Sequence, residues 1–177
     1  MIIIDDFVKD SDLLASLRRE ADLMYGKDYY WKDRESEPFN TTEQFCELVF
    51  NNYYRNKDYS GFEYWVNYLT PEGQSDLPWH YDKDEFHWRE TGSIICPTFG
   101  MVYYLHEEVP VGGWLEIKWG EELERIRAVP NRLVIFDPSV FHRVSKVESA
   151  RHTLAANVWV DKSSPENFDP EKVQLHK

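Results

Sequence analysis

The apolar positions of this chain change period once, near residue 60, from the spacing of helices to the alternation of strands. Before that point Ile2 to Ile4 reads as a short strand. Leu13, Leu14, Leu17, Ala21 and Met24 then fall at helical spacing behind Ser11, a residue type that caps helix N-termini, with Asp12 in the first turn. Residues 28 to 40 are polar and aromatic with no clear period, after which Thr41 and Gln44 have the form of a capping box ahead of Phe45, Leu48 and Val49. From about residue 62 the period is two, in the stretches 62–69, 79–82, 98–105, 113–119, 122–129, 132–136, 142–147 and 152–160. Turn chemistry separates them: Pro71-Glu72-Gly73, Gly112-Gly113, Pro130-Asn131 and Asp137-Pro138 all fall at breaks. The pattern predicts a mainly β fold with N-terminal helices, in which eight short strands make a two-sheet jelly roll.

Length keeps this to a single domain, because 177 residues fill one core and fall short of two of ordinary size. The expected layout is a helical support over 1–60, a barrel over 61–162 and a polar, fraying tail over 163–177. Charge narrows the partners: 32 acidic against 20 basic residues give a net charge of −12, a field that repels phosphate backbones and anionic lipid. Neither nucleic acid nor a membrane is expected as a partner, and no apolar run is long enough to span a bilayer. Cys46 and Cys96 make no disulfide framework, and the apolar start carries Asp5 and Asp6 where a signal peptide would carry basic residues. A reducing cytoplasm is the expected setting.

Candidate chemistry begins at Trp79-His80-Tyr81-Asp82. Alternation along a strand puts His80 and Asp82 on one face, where an imidazole and a carboxylate can share an ion. A second imidazole from another strand would complete one face of an octahedron and leave three positions open, which is what oxygen chemistry needs. His142 fits, since it enters a strand just after the buried run Leu133 to Phe136 and its turn. The pair alone is a short motif that chance supplies often, and the chain holds competitors. His106-Glu107-Glu108 reads as a solvated cluster in an acidic loop, and His87 lies in a charged stretch; both are left out. In the last strand Arg151, Thr153, Ala155, Asn157 and Trp159 share a face, and an inward guanidinium needs an anion, either a protein carboxylate or a bound acid.

Taken in order, His80-Tyr81-Asp82, Val102-Tyr103-Tyr104-Leu105, Gly112-Gly113-Trp114-Leu115-Glu116-Ile117, His142 and Arg151 resemble the motif set of the Fe(II)- and 2-oxoglutarate-dependent dioxygenases, especially the prolyl-hydroxylase-like branch, over roughly residues 60 to 160. The resemblance implies a double-stranded β-helix, a cupin-like jelly-roll barrel. It implies Fe(II) held by His80, Asp82 and His142, and 2-oxoglutarate held by Arg151 through its distal carboxylate. Tyr104 would donate its hydroxyl to that carboxylate, Thr153 would add a hydrogen bond, and Tyr68 would line the pocket. O2 and a peptide, amino acid or small metabolite would be the other reactants, with succinate and CO2 as by-products. An aspartate at position 82, where related halogenases carry a small residue, implies hydroxylation. Asn157 departs from the tryptophan common in prolyl hydroxylases, with Trp159 two residues on, which makes these two the candidate substrate-binding residues. The last strand also lacks the several arginines of nucleic-acid demethylases in the wider superfamily.

Two other classes stay open at this level. A non-redox cupin or sugar-binding jelly roll would use the 7 Trp and 11 Tyr for stacking, but leaves Arg151 unexplained. A zinc isomerase or hydrolase could use the same ligands, although zinc favours tetrahedral, histidine-rich sites.

Overall fold

Strand β10, Arg151–Trp159, sits at the centre of the architecture, paired antiparallel with β3 (Gly61–Leu69) on one side and β5 (Phe99–Tyr104) on the other. The computed structural model describes residues 1–26, 29–56 and 58–161. Further pairing adds β8 (Leu133–Phe136) and β1 (Ile2–Ile4) beyond β5, and β2 (Tyr30–Asp33) beyond β3, giving a six-stranded sheet in the order β1-β8-β5-β10-β3-β2. A second sheet has four strands, β4 (Leu77–His80), β9 (His142–Val144), β6 (Leu115–Trp119) and β7 (Glu122–Ile126), in the order β4-β9-β6-β7.

The two faces of the large sheet have different tasks, set by the alternation of β10. Leu154, Ala156 and Val158 point outward into a core shared with helices α1 (Ser11–Met24) and α2 (Thr41–Tyr53), where Leu17, Phe45, Val49 and Phe50 are buried. Helices of 14 and 13 residues are marginal alone in water, so this burial is what holds them. On the opposite face, Tyr104, Val134 and Phe136 of the large sheet pack with Leu115, Ile117 and Ile126 of the small one, which closes the two layers together.

Both helix caps lie one residue before the expected ones. Asp10 caps α1, its Oδ1 accepting from the backbone N–H of Asp12 at 2.8 Å, and Ser11 is the first helical residue. Asn40 caps α2 by accepting from Glu43 N at 2.7 Å, while Glu43 Oε2 accepts from Phe39 N at 2.6 Å. Asn40 and Glu43 thus take the places expected of Thr41 and Gln44, with the Glu43 carboxylate reaching back to Phe39, one residue before the cap. The free Thr41 and Thr42 amides donate to Glu20 of α1, tying the helices together. All eight expected strands are present, several of them shorter. Strand β2 and a short helix, α3 (Glu85–Thr91), are additions to the expectation. Among the described residues no helix is long and apolar enough to cross a membrane. The expected polar tail from Ser163 lies outside the described residues.

Candidate active site

His80 is the last residue of β4, and it pairs across the small sheet with His142, the first residue of β9. Their ring centroids are 4.3 Å apart. Asp82 is not inside the strand, as its spacing suggested; it lies two residues past the strand end, where its backbone N–H donates to Pro138 O at 3.1 Å. That bond turns the carboxylate back toward the two rings. His80 Nδ1 lies 2.7 Å from Pro78 O, and His142 Nδ1 lies 2.8 Å from Val140 O. A carbonyl only accepts, so each Nδ1 carries a proton, and Nε2 is the atom that a neutral ring would offer to an ion. Both Nε2 atoms face one oxygen, Asp82 Oδ1, at 3.5 Å from His80 and 3.7 Å from His142.

The three donor atoms lie within 4.8 Å of one another, a spacing that metal–ligand bonds of ~2 Å can span. Two imidazoles and a carboxylate on one side of an ion form the set that non-haem Fe(II) oxygenases use, with open positions left over. Burial raises the Asp82 pKa, but the His80 hydrogen bond, the His142 ring and the Asn157 amide outweigh it and hold the carboxyl below its usual range. The two rings differ: burial pushes His142 down, against the pull of Asp82, toward the neutral ligand form, whereas at His80 burial is outweighed by the Asp82 and Pro78 hydrogen bonds and the pKa is raised.

A cavity of about 500 Å3 opens beside these ligands and is lined from both sheets, with Leu115 and Val144 on one wall and Arg151, Thr153 and Ala155 on the other. Arg151 is 1% exposed. Its Nη1 donates to Thr153 Oγ1 at 3.4 Å, and its guanidinium lies 5.1 Å from the centre of the Tyr104 ring. Arg151 Nε and Tyr104 Oη make no hydrogen bond among the described residues, and no carboxylate there pairs with Arg151. Burial works against the charged form, with the Tyr104 phenol opposing, yet a guanidinium stays protonated at any accessible pH. The result is a buried cation with unspent donors, which a bound carboxylate would satisfy. Gly113, at φ 66°, makes room for it: a Cβ there would sit 2.8 Å from Arg151 Cδ.

Other residues fall differently from expectation. Tyr68 pairs directly with His152, so it shares the outer face of the sheet; it is 40% exposed and does not line the cavity. Its neighbour Asn67, paired with Thr153, lines the cavity instead. Trp159 is buried and also lies outside the cavity, whereas Asn157 lines it with an amide already bonded to protein groups. His106 is not solvated: it is buried, with Nδ1 3.3 Å from His152 O, and burial together with the Arg151 charge brings its pKa down to about 4. Neither it nor His87, which sits on α3, joins the ligand cluster. Sequence reasoning missed Glu63, a buried acid in the cavity wall whose pKa is pushed up to about 8, chiefly by burial and then by Asp82. Its signal was weak, an acidic residue at an inward phase of a strand that is apolar and aromatic but for Asn67.

Comparison with known proteins agrees with this geometry. Residues 64–161, more than half of the chain, match the family model of the 2OG-Fe(II) oxygenase superfamily. No curated protein matches by sequence. Among solved structures, a Pseudomonas putida prolyl-4-hydroxylase is similar at 18% identity and TM-score 0.60, covering 91% of this chain and 88% of its own. A 2OG-Fe(II) oxygenase-family oxidoreductase from Burkholderia pseudomallei is similar at 13% identity and TM-score 0.63, covering 92% and 85%. A Trichoplax adhaerens prolyl hydroxylase, solved with a hypoxia-inducible-factor peptide fragment, is similar at 12% identity and TM-score 0.60, covering 95% and 87%. At such identities the likeness to individual structures is one of fold. The chain belongs to the 2OG-Fe(II) oxygenase superfamily; it is an oxygenase, and its cofactors are Fe(II) and 2-oxoglutarate.

Proposed function

We propose that the protein hydroxylates a protein side chain of prolyl type, an amino acid or a small metabolite, with release of succinate and CO2. One observation carries the reading: the His80, Asp82 and His142 donors border the same cavity as the Arg151 guanidinium, which no carboxylate pairs among the described residues. In this reading His80, Asp82 and His142 hold the iron, and Arg151 holds the distal carboxylate of 2-oxoglutarate, with Tyr104 and Thr153 beside it. The strand order also supports it. With β3 to β10 counted as eight strands, the orders β8-β5-β10-β3 and β4-β9-β6-β7 are those of a double-stranded β-helix, a jelly roll whose two sheets enclose the site. Residues 1–60 then act as support for a barrel over 61–162.

Iron and 2-oxoglutarate, when bound, would activate O2, with one oxygen atom taken up as the oxoacid is oxidised to succinate and CO2 and the other left for the substrate C–H bond. The chain contributes the rest. The Pro78 and Val140 carbonyls fix the ring tautomers, so that both Nε2 atoms stay available. Arg151 sets the direction from which the oxoacid enters, and the apolar walls at Leu115, Val144 and Ala155 keep water from the reacting carbon. An aspartate at 82 leaves no room for a halide in the ligand set, which favours hydroxylation. A cytoplasmic setting is supported by Cys46 and Cys96, both free, and the acidic surface disfavours nucleic acid. The test is substrate-stimulated succinate formation by the iron-loaded enzyme over a panel of proline-containing peptides, amino acids and small metabolites. Stimulation by a panel member is the expected result, with matching hydroxylated product by mass. Absence of 2-oxoglutarate turnover, coupled or uncoupled, would sink the proposal.

A further inference from the structure

Asp82 has two oxygens with different surroundings. Oδ1 faces both histidine Nε2 atoms, while Oδ2 accepts a hydrogen bond from Asn157 Nδ2 at 3.0 Å. The same nitrogen lies 3.3 Å from Glu63 Oε1. An amide nitrogen has two N–H groups, one for each carboxyl, and Asn157 is 2% exposed, so water does not compete for either. Register puts the group there: Asn157 is directly opposite Glu63 on β3 and Gly100 on β5. The amide carbonyl uses the space left by Gly100, where a Cβ would come within 2.8 Å of Asn157 Oδ1 and 3.1 Å of Pro138 Cβ. If the amide were flipped, its oxygen would point at two carboxyl groups, and Asp82 would lose a donor inside the protein.

We infer that Asn157 is a positioning residue for the metal centre: it occupies Asp82 Oδ2, so that the carboxylate offers the ion one oxygen, Oδ1, and keeps its second oxygen out of the coordination positions that 2-oxoglutarate and O2 require. The inference rests on the ligand assignment proposed above. It replaces the expectation that Asn157 binds substrate, because both its N–H groups are committed within the protein. Only a donor serves at this position. Leucine, similar in volume to asparagine, would fill the space and hold nothing; aspartate, also similar in volume, would set a third carboxyl against the other two.

The test is Mn(II) affinity, followed by the EPR signal of free manganese at 10 °C, where circular dichroism establishes that each variant is folded. Removing groups that orient metal ligands typically costs about 10- to 100-fold in metal affinity, and a loss of that size is expected for Asn157→Leu and Asn157→Asp. A structural role alone would lower the melting temperature and leave the affinity of the folded protein unchanged. Mn(II) affinity of Asn157→Leu within threefold of wild type overturns the inference, whatever happens to its melting temperature. Gly100→Ala is the independent variant: its methyl group displaces the Asn157 carbonyl, and a smaller loss in the same direction is expected, whereas unchanged affinity counts against the mechanism. His142→Ala runs alongside. If it binds Mn(II) as wild type does, the ligand assignment itself has failed; if it does not, the result for Asn157 stands by itself.

Discussion

Replacing Arg151 by methionine separates two roles that most substitutions confuse. A buried arginine paired with a protein carboxylate is structural, and its removal would strand that carboxylate at a cost of about 3 to 5 kcal/mol. Arg151 has no such partner among the described residues, and its Nε is unsatisfied. Arg151→Met keeps most of the side-chain volume and removes a buried charge, so the metal-free protein should unfold at the same or higher urea concentration. Cosubstrate binding should move the other way. Hydrogen bonds to charged groups contribute about 1.5 to 3 kcal/mol net, which at about 1.4 kcal/mol per decade is roughly a 10- to 100-fold loss of 2-oxoglutarate affinity. Tyr104→Phe removes one neutral donor, so its loss should be smaller, about 1 kcal/mol or roughly 5-fold. Calorimetric titration of 2-oxoglutarate into anaerobic iron-loaded protein gives the affinities, and urea unfolding with chelator gives the stabilities. Unchanged 2-oxoglutarate affinity in Arg151→Met, or a destabilisation above about 3 kcal/mol, would refute the reasoning.

Single alanine substitutions of His80, Asp82 and His142 should each abolish iron-dependent 2-oxoglutarate turnover, while His87→Ala and His106→Ala retain it; full activity of His142→Ala would remove the metal assignment. Glu63 gives the metal-free protein a pH dependence. Its folded pKa of about 8 is above the ordinary 4.5, so the native state keeps a proton that the unfolded chain releases. That contribution is complete below 4.5 and is lost as pH rises toward 8, at a limiting slope of about 1.4 kcal/mol per pH unit. Glu63→Gln should flatten this part of the profile between pH 5.5 and 7.5; parallel urea profiles for the two proteins would show that Glu63 is ionised in the fold.

The strands were legible because alternation survives in them, and in β10 the phase alone put Arg151 and Thr153 on the cavity face. Strand β2 alternates too, but one of its inward residues is Lys32. Buried at 2% exposure, it is held by Glu47 and the carbonyls of Asp33 and Ser36, so the hydropathy signal vanished. Helix α3 buries no residue and therefore had no apolar period, only the end signals of Asp84 and Gly92. The ligand pair was found through strand spacing, although Asp82 stands beyond the strand and is aimed by a backbone bond. Tyr68 was one residue out of phase, which in a strand is the opposite face. The acidic neighbours of His106 disguised a buried ring. Asn157 could not be read locally at all, since its partners lie 94 and 75 residues away along the chain.

The Pro78 carbonyl accepts a hydrogen bond from the His80 ring, and Pro78 stands in β4, which ends the four-stranded sheet. A sheet's last strand is where another chain's strand can add itself, and a β4 bearing a row of free N–H groups would invite that close to the metal ligands. Proline has no N–H to give, and the register shift between Leu77 and His80 interrupts the flat ladder that a stacking strand would need. The residue that orients the ligand thus also makes this edge a poor template for aggregation. Exchanging it for alanine would keep the carbonyl that holds the His80 ring and return an N–H to this edge, so solubility is what that exchange would touch first.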